Sequence, residues 1–192
     1  MANQDAPFGA YPVNQNGGVY NGQINKYYIP ASDATVMAKG DIVKLAGSGD
    51  TDGVASVTRA AAGDTPVGII VGFEWPTRAE ENLPNYKPAS TETYALVADD
   101  PNVQFIIQED SDGGALAVTD IGLNADIVVA NANSTTGRSQ VELDSSTAAT
   151  TSTLVLNIKS LYQTDDNEVG DNAVWLCGFN VHQFGSVGTD GV

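Results

Sequence analysis

Few side chains in this sequence have the type and spacing that chemistry needs. There is one histidine, His182, and one cysteine, Cys177. His182 lies in the strand-like pattern FNVHQF, where a lone histidine is more often a packed structural residue than a general base. Cys177 sits in the apolar run Ala173–Phe179 and reads as a buried hydrophobe; standing alone, it excludes an internal disulfide. One histidine and one cysteine do not make a zinc site. No nucleophile elbow G-x-S-x-G or phosphate loop G-x-x-x-x-G-K-[ST] occurs, and the glycines of GSGDTDG lack dinucleotide-binding spacing. Two acidic turns carry the remaining metal pattern. Asp50-Thr-Asp52-Gly53 and Asp110-Ser-Asp112-Gly113 each place two carboxylates on an oxygen-rich turn suited to calcium. Neither continues to the distal glutamate of a full calcium loop, and ordinary Asx-type hairpin turns account for both. The expectation is a protein that is not an enzyme and holds no cofactor, with Asp50, Asp52, Asp110 and Asp112 as weak calcium candidates.

The elements that must position these residues read as strands. Ala60–Trp75 (AAAGDTPVGIIVGFEW) enters from a Gly-Asp turn and Pro66 into an apolar, β-branched run too short for a helix, so it is taken as the core strand. Asp41–Ala46 and Val54–Thr58 flank the turn GSGDTDG as a hairpin. Thr91–Ala98 and Val103–Glu109 read as a second strand pair joined by Asp99-Asp100-Pro101-Asn102, with Val103, Phe105 and Ile107 on one face. Pro76, Pro84 and Pro88 mark a long loop. In the ambiguous window Leu116–Ala130, Thr119 is placed to cap a short helix through Asn124, with Asp126–Ala130 returning as strand. Gln140–Leu143 is a brief strand, and the Ser/Thr/Ala run Ser145–Ser152 reads as loop. Thr153–Tyr162 and Asn172–Phe184 are the last long strands. The expected fold class is all-β: a small barrel or sandwich of about nine to ten short strands with one short helix and an extended N-terminal arm.

The divisions follow composition: an arm over 1–30, a β body over 31–185 and a flexible tail over 186–192. The arm is rich in asparagine, has no charged residue between Asp5 and Lys26, and carries Phe8, Tyr11, Tyr20, Tyr27 and Tyr28. A merely disordered tail would be poor in aromatics. These five residues are therefore read as anchors, docked on the chain's own body or on a neighbour.

At 192 residues the chain is long enough for a real core, and 42% of it is hydrophobic. Eight Lys and Arg face 24 Asp and Glu, a formal charge of −16. Such a surface repels phosphate backbones and anionic membranes, so no nucleic-acid or membrane partner is expected. The N-terminal MANQDAPFG lacks a signal-peptide pattern, and no window approaches a membrane span, which leads to the expectation of synthesis in a cytoplasm.

Motifs spread along the chain resemble a family of phage virion structural proteins encoded beside the major capsid protein. In order they are Tyr20-Asn-Gly-Gln-x-x-x-Tyr27-Tyr28, Gly40-Asp41-x-Val43-Lys44-Leu45-Ala46-Gly47, and Val57-Thr-Arg-Ala-Ala-Ala-Gly63-Asp64 with Pro66-Val67-Gly68. Then follow Leu96-Val-Ala-Asp99-Asp-Pro101, Gln108-Glu-Asp110, Asp120-x-Gly122-x-Asn124-Ala125-Asp126, Leu143-Asp-Ser-Ser-Thr-Ala-Ala-Thr150 and Asp166-Asn-Glu-x-Gly170. Gly-Asp-x-Val followed by Pro-Val-Gly-Ile is also similar to head-decoration proteins with small β-barrel or tulip-like folds. The resemblance implies a decoration (cement) protein of a bacteriophage capsid, bound on the outer surface of the virion. Its implied partners are the major capsid protein and neighbouring copies of itself in a homotrimer. Two alternatives stand beside it: another virion structural role, as head-tail connector or tail tube, and a glycan or host-surface module using Trp75, Trp175 and Tyr86 as stacking platforms.

Overall fold

In a computed structural model of the chain, residues 3–76, 83–185, 188 and 191 are described. They form an all-β protein with two bodies. The first is a closed five-stranded barrel in the order β3-β6-β5-β7-β9. Its strands are β3 (Asn25–Ile29), β5 (Ile42–Gly49), β6 (Ala55–Arg59), β7 (Gly68–Glu74) and β9 (Thr93–Ala98). The second is a seven-stranded antiparallel sheet in the order β12-β11-β13-β14-β10-β1-β2. It takes β1 (Tyr11–Gln15) and β2 (Gly18–Val19) from one end of the chain. The other end supplies β10 (Val103–Gln108), β11 (Asn124–Val128), β12 (Glu142–Ala149), β13 (Leu156–Leu161) and β14 (Val174–Phe179). A two-stranded ribbon of β4 (Met37–Ala38) and β8 (Tyr86–Lys87) completes the fold. The fourteen strands among the described residues exceed the nine or ten expected. Setting aside three two-residue strands and the two drawn from residues 1–30, nine remain.

The first half of the core strand β7 is buried and apolar because it faces two cores at once. Val67 and Ile70 enter the barrel interior with Tyr27, Ile29, Val43, Val57 and Val97. Ile69, with Ile42 and Ala60, points the other way into the core of the large sheet, beside Phe105, Leu156 and Trp175. A strand buried on both faces loses the polar alternation of a surface strand, so its sequence reads as a continuous hydrophobic run. Gly68 is required where β7 meets β9, since a Cβ there would overlap the Ala98 carbonyl.

The expected pairing of Thr91–Ala98 with Val103–Glu109 is corrected. β9 pairs with β3 and β7 inside the barrel, whereas β10 pairs with β1 and β14. The acidic segment 99–102 is thus a crossover between bodies. Alternation shows that a strand has a buried face without naming its neighbour, and both strands carry the same burial pattern.

Two further readings change. Val118–Asp120 forms a single 3₁₀ turn with Ala117 at its start, and Thr119 does not cap it. The Asp120 carboxylate instead accepts a hydrogen bond from Ala117 N at 2.8 Å, and Gly122 at φ +95° ends the turn before β11. The Ser/Thr/Ala run taken as loop is mostly strand, since β12 continues to Ala149. Its inner positions Leu143 and Ser145 are buried, and Thr147 Oγ1 accepts from Asp126 N at 2.8 Å across a bulge in the β11–β12 pair. Small hydroxyl residues there satisfy a distorted ladder that apolar residues would leave unpaired. The sheet also curls: Glu109 bridges Leu143, and Asp110 N donates to Leu143 O at 3.1 Å.

Candidate interaction site

The aromatic segment at the N-terminus docks on its own chain. β1 lies along β10, and Gln15 Nε2 donates to Asp100 Oδ2 at 2.7 Å. Farther out, Asn3 Nδ2 donates to the carbonyls of Glu168 and Asp171, and Gln108 Nε2 donates to Gln4 O. The five aromatics divide. Tyr27 is in the barrel core, its hydroxyl on Asp99 Oδ2 at 2.7 Å, and burial with that carboxylate pushes the phenol far above its ordinary range. Tyr28 stacks near Tyr94, ring centroids 5.6 Å apart. Tyr20 packs on the large-sheet core with its hydroxyl on Gln23 O, and Phe8 is half-buried. Tyr11 alone is broadly exposed, at 63%, on the edge hairpin that also presents Val19.

Of the four carboxylates read as calcium candidates, those of Asp50 and Asp110 are committed to turns. Asp50 Oδ1 accepts from Asp52 N and Val54 N, while Oδ2 accepts from Tyr94 OH at 2.8 Å. That contact pushes the Tyr94 phenol up to about 12. Asp110 Oδ1 accepts from Ser145 N and Oγ and from Asp112 N. Among the described residues no group of three or more His, Cys, Asp or Glu side chains is arranged to hold a metal. His182 is buried between Phe179 and Phe184, its Nδ1 accepts from Phe184 N at 3.1 Å, and desolvation holds its pKa below the usual value. Cys177 is fully buried, which pushes its thiol up to about 12. Trp175 is also fully buried and donates its indole N–H to Glu109 Oε2, so it cannot serve as a stacking platform for a glycan.

The most constructed polar feature lies where the two bodies meet. Gly9, Gly40 and Ser139 cross so closely that a Cβ on Gly9 would meet Gly40 O and Ser139 Cβ. Gly9 and Gly40 sit at φ +79° and +95°, backbone that glycine adopts without strain. Asp41 is buried beneath this crossing, accepting from Ser139 Oγ and from Ala38 N at 3.0 Å. Burial pushes its carboxyl up to about 6, against the opposing pull of Ser139, Ala38 and the Arg59 charge.

Beside the crossing opens a groove of about 340 Å³ between β1 and β7. Phe8, Tyr11 and Pro12 line one side and Val71 the other. Val71 lies where the β7–β9 register shifts, a bulge that turns the strand at the groove. Lys39 and Arg138 line the same groove and are bridge partners across a short parallel contact. The sequence gives no sign of this pairing, because 98 residues separate the two and neither belongs to a motif. The other described cations are occupied. Lys26 pairs with Glu74, Lys44 with Asp64 and Lys87 with Asp33, while Arg59 binds carbonyls and Lys159 reaches Asn157. Lys39 and Arg138 make no ion pair or side-chain hydrogen bond among the described residues. Both are exposed. Comparison with protein-family models, curated proteins and solved structures finds no match to this chain.

Proposed function

We propose that this chain is a structural protein of a phage virion, a decoration or cement protein that binds the outer face of the head and stabilises the shell across capsomers. The observation that carries the reading is the ordered series of motifs resembling that family. They fall on junctions in both bodies: Gly40-Asp41 at the barrel–sheet crossing, Asp99-Asp-Pro101 at the crossover, and Asp120-x-Gly122 at the 3₁₀ turn. The exposed Tyr11 and Val19, on a hairpin at the sheet edge, supply apolar surface for a neighbouring subunit. A negative body suits a site outside the shell, away from packaged DNA, and steers toward basic capsid patches.

The test is co-sedimentation with expanded heads. Saturable binding at many copies per particle is expected, together with greater resistance of the heads to heat. A few copies confined to one vertex would assign a connector instead, and no binding would overturn the reading. Deleting residues 1–30 is unsuitable as a control, because it removes β3 and opens the barrel. The double variant Tyr11→Ser, Val19→Asp leaves both bodies intact and is expected to weaken head binding roughly tenfold or more.

A further inference from the structure

We propose that the groove between β1 and β7 is a docking site for an extended acidic segment of a partner protein. An apolar side chain of that segment would enter beside Tyr11 and Val71, and its carboxylates would pair with Lys39 and Arg138.

The argument begins with charge. In a chain of formal charge −16, every other described cation is spent on a contact within the molecule. Lys39 and Arg138 are instead held next to each other on bridged backbone, an arrangement of like charges that weakens the pairing it sits on. On a chain of net negative charge they form a local positive site at the groove. The groove beneath them is lined mainly by apolar side chains and is large enough for one large side chain. Its uncharged polar lining includes Asn85 and Thr136, and Asn85 packs against Gly137 so tightly that a Cβ at 137 would overlap it. A cation pair over an apolar slot matches a segment in which a Leu or Phe is flanked by Asp or Glu, with Arg138 able to take a carboxylate in two-point contact. A nucleic acid fits less well, since its repeating phosphates would run past two cations onto a chain of formal charge −16.

The inference does not depend on the virion assignment. Loss of head binding with peptide binding kept would count against that assignment alone, and the converse against the groove alone.

The experiment uses the full chain and an array of capped decapeptides in which Asp, Glu, Leu, Phe, Lys, Asn, Gln and Ser are varied at each position. The peptides retained are expected to carry Leu or Phe within a few positions of Asp or Glu. Replacing those acids by their amides, or introducing Lys39→Glu with Arg138→Glu, is expected to weaken binding roughly tenfold or more, whereas Lys39→Arg retains it. Amide resonances of Ile70, Val71 and Gly137 should shift on peptide addition. Near-UV circular dichroism of the double variant checks that the fold persists. The proposal is overturned if no peptide is retained, if retention is indifferent to acid content, or if the double variant binds the same peptides equally well. It is also overturned if the groove instead mediates self-association that the same double variant abolishes, which would assign it to a second copy of this chain.

Discussion

Asp41 is buried where three segments cross, and its ionisation works against the fold. Its carboxyl is raised from 3.8 to about 6, so between those values the folded chain holds a proton that the unfolded chain has released. Stability from this residue is therefore greatest below the unfolded pKa and declines as pH rises through the folded one. The shift corresponds to about 3 kcal/mol across that window, as an order of magnitude. Asp41→Asn is expected to flatten the pH dependence of the urea midpoint between about pH 4 and 6, and an unchanged slope would show that another group sets it. The Gly-Asp pair is legible in the sequence as a turn leading into a strand. Its burial is not, because the partner that covers it, Ser139, is 98 residues away and in a polar loop.

At the level of elements, the short ribbon β4–β8 is held by one lysine. Lys87 is fully buried and donates to Asp33 O at 2.7 Å and Thr35 O at 2.8 Å, with the Asp33 carboxylate 3.9 Å away. Burial lowers its pKa, and Asp33 opposes that shift. Lys87→Met keeps much of the volume but removes the donor to Thr35 O, one of two donors to Asp33 O, and the charge that faces the Asp33 carboxylate. We expect a loss of about 3 kcal/mol or more in unfolding free energy, measured by urea titration, and a change below about 1 kcal/mol would refute the anchoring role. Nothing in the sequence distinguishes this lysine from a solvated one, since a buried lysine is identified by the backbone oxygens around it. By contrast β7, the β5–β6 hairpin and β10 are legible, because turn residues bound them and their apolar content is high. β12 escapes notice because its buried positions include serine, whose burial is made tolerable by hydrogen bonds that only the fold supplies.

For the whole molecule, charge sets the conditions of greatest stability. Glu142 behaves like Asp41: desolvation, with Asp5 and Asp110 nearby, pushes its carboxyl up to about 7 from 4.5. Both groups make the folded state the better proton binder in the mildly acidic range, and relief of the net negative charge acts in the same direction. Asp33, Asp50, Asp64 and Asp100 are held below their usual pKa, and their contribution disappears as acidity rises past the ordinary carboxylate range. Thermal melts should therefore show a higher midpoint at about pH 5 than at about pH 8, and a fall again below about pH 3.5. Added salt should raise the midpoint at about pH 8 by screening repulsion. A flat profile in both pH and salt would contradict this account. The all-β class is visible in composition and turn spacing, whereas the division into two bodies is not, because it depends on which edges meet.

The double-faced β7 has a consequence for synthesis. All five barrel strands lie between residues 25 and 98, so the barrel can close while the ribosome is still making the rest of the chain. Ile42, Ala60 and Ile69 then remain as an uncovered apolar wall until β10 to β14 emerge. β1 pairs at once with β2, but its other edge stays open until β10 appears. The nascent protein thus passes through a stage in which a folded barrel carries a sticky outer face and a hairpin with one unpaired edge, and that interval is when aggregation or chaperone capture competes with completion.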